Sequence, residues 1–65
     1  MHKNAPIPPA GLRVPAAAAY VALSQRELWR LLARGDIQRI RHGRTTIVPR
    51  VSLDAWLERK ALEET

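Results

Sequence analysis

Seven arginines, at positions 26, 30, 34, 39, 41, 44 and 50, occupy the stretch from Ser24 to Arg50, opposed only by Glu27 and Asp36. Seven against two leaves +5, which is the formal net charge of the whole 65-residue chain. Outside that stretch Lys3, Arg13, Arg59 and Lys60 balance Asp54, Glu58, Glu63 and Glu64. The cations of the stretch are all arginine and never lysine. A guanidinium is planar and permanently charged, and its forked donors match phosphate oxygens and guanine edges in pairs. Charge concentrated in this way is an electrostatic footprint for nucleic acid. The plain alternative is an arginine-rich surface that serves solubility.

Other chemistry finds little material. The histidines, His2 and His42, lie far apart, and there is no cysteine, so neither a disulfide nor a thiolate or zinc site can be assembled. No glycine-rich phosphate loop is present, and Glu27 is better used as a helix cap than as a base. A nucleophile with an oriented base, or a carboxylate pair in a cleft, cannot be built from these residues. The expectation is a protein that is not an enzyme and takes no cofactor, metal or small-molecule ligand. The longest largely apolar run, Val14 to Leu23, spans ten residues and contains Pro15, against roughly 20 needed to cross a bilayer. With no secretory pattern over Ala5 to Gly11, a cytoplasmic location is expected.

The elements that must carry the arginines can be read from local signals. Ser24 is a good N-cap, Glu27 can reach back to complete a capping box, and Leu23 and Leu28 suit a hydrophobic staple. In the helix that follows, Leu28, Leu31 and Leu32 fall on one side, Arg26, Arg30 and Ala33 roughly opposite, and Trp29 on the flank. Arg26 and Arg30 are like charges at i and i+4, which costs an isolated helix a few tenths of a kcal/mol and which a polyanion would turn into binding energy. Glu27 could instead neutralise Arg30 locally, leaving a solvated face. Gly35 should end the helix.

Before it, Leu12 and Val14 introduce a first helix, with Pro15 near its start and Ala16 to Ala19 as strong formers. A connection of only two or three residues, Ala22 and Leu23, forces the two helices to cross steeply, as in a helix-turn-helix. After Gly35 the period changes to two. Residues 38–42 and 45–49 read as a hairpin around Gly43-Arg44, with Ile40, His42, Thr46 and Val48 on one side and Ile47 outward. Arg39, Arg41 and Arg44 project from its outer face or tip. A third helix runs from about Arg50 to Leu62, with Val51, Leu53, Trp56 and Leu57 on an apolar side and Trp56 in the core. Residues 1–11 read as a flexible proline-rich arm, 12–62 as one domain and 63–65 as a tail. The fold class expected is mostly α with a small β-hairpin: a winged helix-turn-helix of three helices and a two-stranded wing. A chain this short buries only about 60% of its unfolded surface, so the core is thin.

The ordered run Leu12-x-Val14, Ala17-Ala18, Tyr20-Val21, Ser24, Leu28-Trp29-Arg30-Leu31-Leu32, Gly35-Asp36-Ile37, Ile40-Arg41-x-Gly43-Arg44, Val48-Pro49 and Leu53-x-Ala55-Trp56-Leu57 resembles the winged helix-turn-helix of the excisionase family, related to the DNA-binding domain of MerR-type regulators. The resemblance implies that the second helix enters the major groove of double-stranded DNA and that the hairpin lies on the backbone or in the adjacent minor groove. Gln25, Arg26, Trp29 and Arg30 then become groove contacts, Arg41, Gly43, Arg44 and Thr45 wing contacts, and Ser24 and Arg34 phosphate contacts. Arg39 completes the DNA-facing set.

Departures from the family pattern are Arg13 where serine or threonine is common, Pro15 and Ala16 in place of acidic residues, Ala22 in place of glycine, His42 for an aliphatic and Thr46 for an aromatic residue. MerR-type regulators continue into a long dimerisation helix, whereas this sequence ends eight residues past Leu57. The implied role is therefore an excisionase, a recombination directionality factor that bends attachment-site DNA as several copies side by side and helps seat an integrase. The alternative is a small transcriptional regulator. From a different class, the arginine face could dock an acidic protein. RNA binding is disfavoured because only Tyr20, Trp29 and Trp56 are available for stacking.

Overall fold

The computed structural model describes residues 10–64. Strand β1 (Gly11–Arg13) leads into helix α1 (Val14–Tyr20), followed by α2 (Gln25–Arg34), the hairpin strands β2 (Ile40–His42) and β3 (Thr45–Pro49), and α3 (Arg50–Glu63). The fold is mostly helical with a small antiparallel sheet, as a winged helix-turn-helix requires. Most of the expected arm lies outside the described residues, but Gly11 belongs to β1, and Glu63 lies in α3 rather than in a tail.

The sheet has three strands in the order β1-β3-β2, one more than the two-stranded wing expected. Leu12 does not enter α1; it pairs across from Val48, and the N–H of Arg50 donates to the carbonyl of Ala10 at 2.8 Å. The extra strand follows from alternation too short to be legible: three residues with only Leu12 turned inward. The hairpin turn does fall at Gly43-Arg44, with φ +62° at Gly43 and no positive φ at Arg44, the pattern of a type II′ turn.

The side assignment within the hairpin requires correction. Ile40 pairs with Ile47, Arg41 with Thr46 and His42 with Thr45. Directly opposed residues share a face. Ile40 and His42 therefore share theirs with Thr45 and Ile47, not with Thr46 and Val48. A two-residue turn joins even-numbered positions of one strand to odd-numbered positions of the other. Arg41 consequently shares the face of Thr46 and of the buried Val48.

The core gathers Val14, Ala17, Ala18 and Val21 from the first helix and its exit, Leu28 and Leu32 from α2, and Ile37, Val48 and Leu53, with Leu12, Leu23, Leu31 and Trp56 packed around them. The alanines of α1 let its neighbours approach closely, and α1 touches α2, β3 and α3. In α3 the expected apolar side is narrower than four residues. Leu53 is fully buried and Trp56 half-buried, but Val51 is 68% and Leu57 38% exposed. At 100° per residue Val51 lies about 200° from Leu53, on the far side of the helix.

The helix junctions are closed by the same device. At the end of α2, Gly35 adopts φ +83°, its N–H donates to the carbonyl of Leu32, and that of Asp36 donates to the carbonyl of Leu31. This is a Schellman turn, and it delivers Ile37 into the core. At the end of α1 the N–H of Ala22 donates to Ala19 and that of Leu23 to Ala18, with Ala22 itself at φ +61°. A residue with a Cβ thus holds the left-handed position between the two helices. Tyr20 ties α1 to α3 by donating its hydroxyl to Asp54 Oδ1 at 2.6 Å.

Candidate nucleic-acid interface

Helix α2 presents its buried leucines to the core and its charged residues outward. Ser24 Oγ accepts the N–H of Glu27 at 3.1 Å, so the N-cap forms as expected. The reciprocal half of the capping box does not: Glu27 Oε1 instead accepts from Arg30 Nη1 at 2.6 Å, with both side chains exposed. Arg34 pairs with Asp36 at 3.3 Å. Exposed pairs of this kind contribute roughly 0–1 kcal/mol and exchange readily with a stronger anion. Among the described residues Arg26 has no carboxylate partner, and Gln25 and Arg26 are exposed in the first turn.

Trp29 is 42% exposed. It lines a groove of about 280 Å³ together with Arg44 at the hairpin turn and Thr45 at the start of β3. Helix and wing therefore meet along one depression. Three of the residues expected from the sequence converge there, and Arg41 stands across the sheet from Thr46, which also lines it. Gly43 completes the turn. Arg39 lies in the segment before β2, and Arg34 sits at the far end of α2, about 14 Å along its axis from Gln25; neither lines the groove.

Sequence reasoning missed Arg13, which lines this groove alongside Val14 and Pro15. It lies among the balanced charges outside the arginine-rich stretch. No local signal marks it, because β1 is three residues long with Leu12 alone turned inward, too short for its alternation to be read.

A model of the helix-turn-helix domain matches residues 12–61, most of the chain. The protein belongs to the helix-turn-helix domain family. That family binds DNA, includes excisionase-like DNA-binding domains and is typically non-enzymatic. This helix-turn-helix protein is thus a small DNA-binding domain, and the duplex is its partner. No significant match is found among curated proteins or solved structures.

The remaining surface of the helix-turn-helix protein offers a larger depression of about 520 Å³ between the end of α2 and α3, lined by Gly35, Asp36, Gln38, Val51, Ser52, Ala55 and Arg59. Arg59 Nη2 there donates to the carbonyl of Asp36 at 2.8 Å, fastening α3 to the Schellman turn. Among the described residues no helix is long and apolar enough to cross a membrane, and no three metal-ligating side chains cluster.

Proposed function

We propose that the protein is an excisionase, a recombination directionality factor that binds attachment-site DNA cooperatively and bends it for integrase-mediated excision of a phage or mobile element. In this reading α2 enters the major groove with Gln25, Arg26, Trp29 and Arg30 toward the base edges. The hairpin rests on the backbone through Arg39, Arg41, Gly43, Arg44 and Thr45, while Ser24 and Arg34 meet phosphates. The observation that supports it is the groove bordered by Trp29 of α2 and by Arg44 and Thr45 of the hairpin, which brings helix and wing to one depression.

The excision role is supported by the ordered resemblance from Leu12 to Leu57 and by a family that includes excisionase-like domains. One module of this size contacts only part of a site. Bending therefore calls for several copies side by side, in the nucleoid of a cytoplasm that also holds the integrase. A promoter-bound transcriptional regulator would use the same helix and wing.

Gel titration with attachment-site and promoter duplexes, combined with a bending assay, tests the assignment. Excisionase function requires a ladder of bound species, a bend, and affinity that falls steeply with salt. A single shift without a bend, on promoter DNA alone, would favour the regulator. Tighter binding to polyglutamate than to random duplex would overturn DNA binding itself.

A further inference from the structure

We infer that Arg13 and Arg44 grip one phosphodiester of a DNA strand between them, in the groove bounded by α1, α2 and the hairpin turn; this rests on the DNA-binding reading above. The groove has two chemically distinct linings. Arg13 and Arg44 supply two guanidinium groups, beside the neighbours Thr45 and Thr46, whose side chains alternate across the strand, one hydroxyl to either side, whereas Val14, Pro15 and Trp29 are apolar. The first set suits the non-bridging oxygens of a phosphate, which accept paired guanidinium and hydroxyl donors. The second suits the deoxyribose attached to it.

Among the described residues both of these guanidinium groups are also free of carboxylate partners, a property they share with Arg26 on α2, whereas Arg30 and Arg34 are paired. Two uncompensated cations lining one depression repel each other until an anion lies between them. Their backbones are also well held. Arg13 is paired across from Ile47 and forms the N-cap position of α1, and Arg44 lies within a tight two-residue turn. Thr45 and Thr46 beside them are half-buried in β3, so their backbones are held by the strand pairing.

The test is a titration of the full chain with a random-sequence duplex between roughly 50 and 200 mM salt, using Arg13→Ala, Arg44→Ala, the double variant, and Lys60→Ala on α3 as a remote cation control. Each single groove variant should bind roughly tenfold more weakly. Because a clamp with one jaw holds little, the double variant should be at most a few-fold weaker than the singles. Its salt slope should be shallower than that of the parent by about one, with the Lys60→Ala slope unchanged.

Both arginines are exposed, so thermal melting should be unaltered and a folding defect would be seen separately. Parental affinity in Arg13→Ala, or losses that multiply in the double variant, would overturn the shared phosphate while leaving DNA binding intact. Failure of the parent chain to bind duplex would overturn both. Inorganic phosphate added at constant ionic strength should not displace the duplex; displacement would mean that the groove takes free phosphate instead.

Discussion

Trp29 in the second turn of α2 and Arg44 in the hairpin turn line a single groove, although they belong to elements separated by the entire C-terminal turn of α2 and strand β2. Trp29 borders that groove and is not part of the core, to which α2 contributes Leu28 and Leu32. Trp29→Ala is therefore expected to weaken duplex binding about tenfold or more, by loss of a large contact side chain, while helicity by circular dichroism is retained. Binding at the parental level would place the DNA contact elsewhere.

Glu27 holds Arg30 in an exposed pair at 2.6 Å and does not close the capping box. Replacing it by glutamine removes a negative charge from the exposed surface of α2, the surface proposed to meet DNA, and releases the guanidinium. Glu27→Gln should bind duplex several-fold more tightly at low salt, and the gain should shrink as salt is raised. The same change removes a favourable charge near the helix N-terminus and should cost about 0.3–1 kcal/mol of stability, read by urea titration.

Arg26→Ala and Arg30→Ala should reduce affinity for the specific site more than for random duplex, with the fold intact, because both side chains are exposed on α2. Competition titrations with the two duplexes check this. Equal losses on both would assign these arginines to phosphates and not to bases.

Leu28 is fully buried, one of the core residues among those described, whereas Leu31, on the same expected face, is half-buried. Leu28→Ala should cost about 2–5 kcal/mol, most or all of the stability of so small a domain, and Leu31→Ala distinctly less. Thermal melts of the pair separate them.

Ala22 occupies a left-handed conformation, φ +61°, that the Schellman turn between α1 and α2 demands. The Cβ makes that conformation cost roughly 1–2 kcal/mol, and a glycine avoids it at the expense of a more flexible unfolded chain. Ala22→Gly should stabilise the domain by up to about 1 kcal/mol, raising Tm by roughly 4–8 °C. An unchanged or lower Tm would mean that the Cβ contributes packing that outweighs the strain.

The Tyr20 hydroxyl donates to Asp54, and that hydrogen bond, with partial desolvation and the Asp54 charge, raises the phenol above its ordinary value of about 10, against a smaller lowering by Arg50. Because the folded value lies above the unfolded one, the stabilisation is fully present below about pH 10 and is lost as pH rises through the folded value. Melting temperature should therefore fall more steeply in strongly alkaline buffer for the parent chain than for Tyr20→Phe, which has no proton to lose.

Composition and local pattern determined that the excess charge is carried by one arginine-rich stretch, that Ser24 and Gly35 bound a helix, and that a two-residue turn at Gly43-Arg44 folds a hairpin. Each rests on chemistry confined to a few consecutive residues: a hydroxyl accepting an N–H three residues on, a glycine tolerating positive φ, a side-chain period. Tertiary structure alone decided that Leu12 pairs with Val48 in a third strand, that Ile37 is buried, and that Arg13, Trp29 and Arg44 border the same groove. These depend on which elements come together across long stretches of chain. The residues concerned carry no local mark of a distant partner, so their relationships arise only when the core packs.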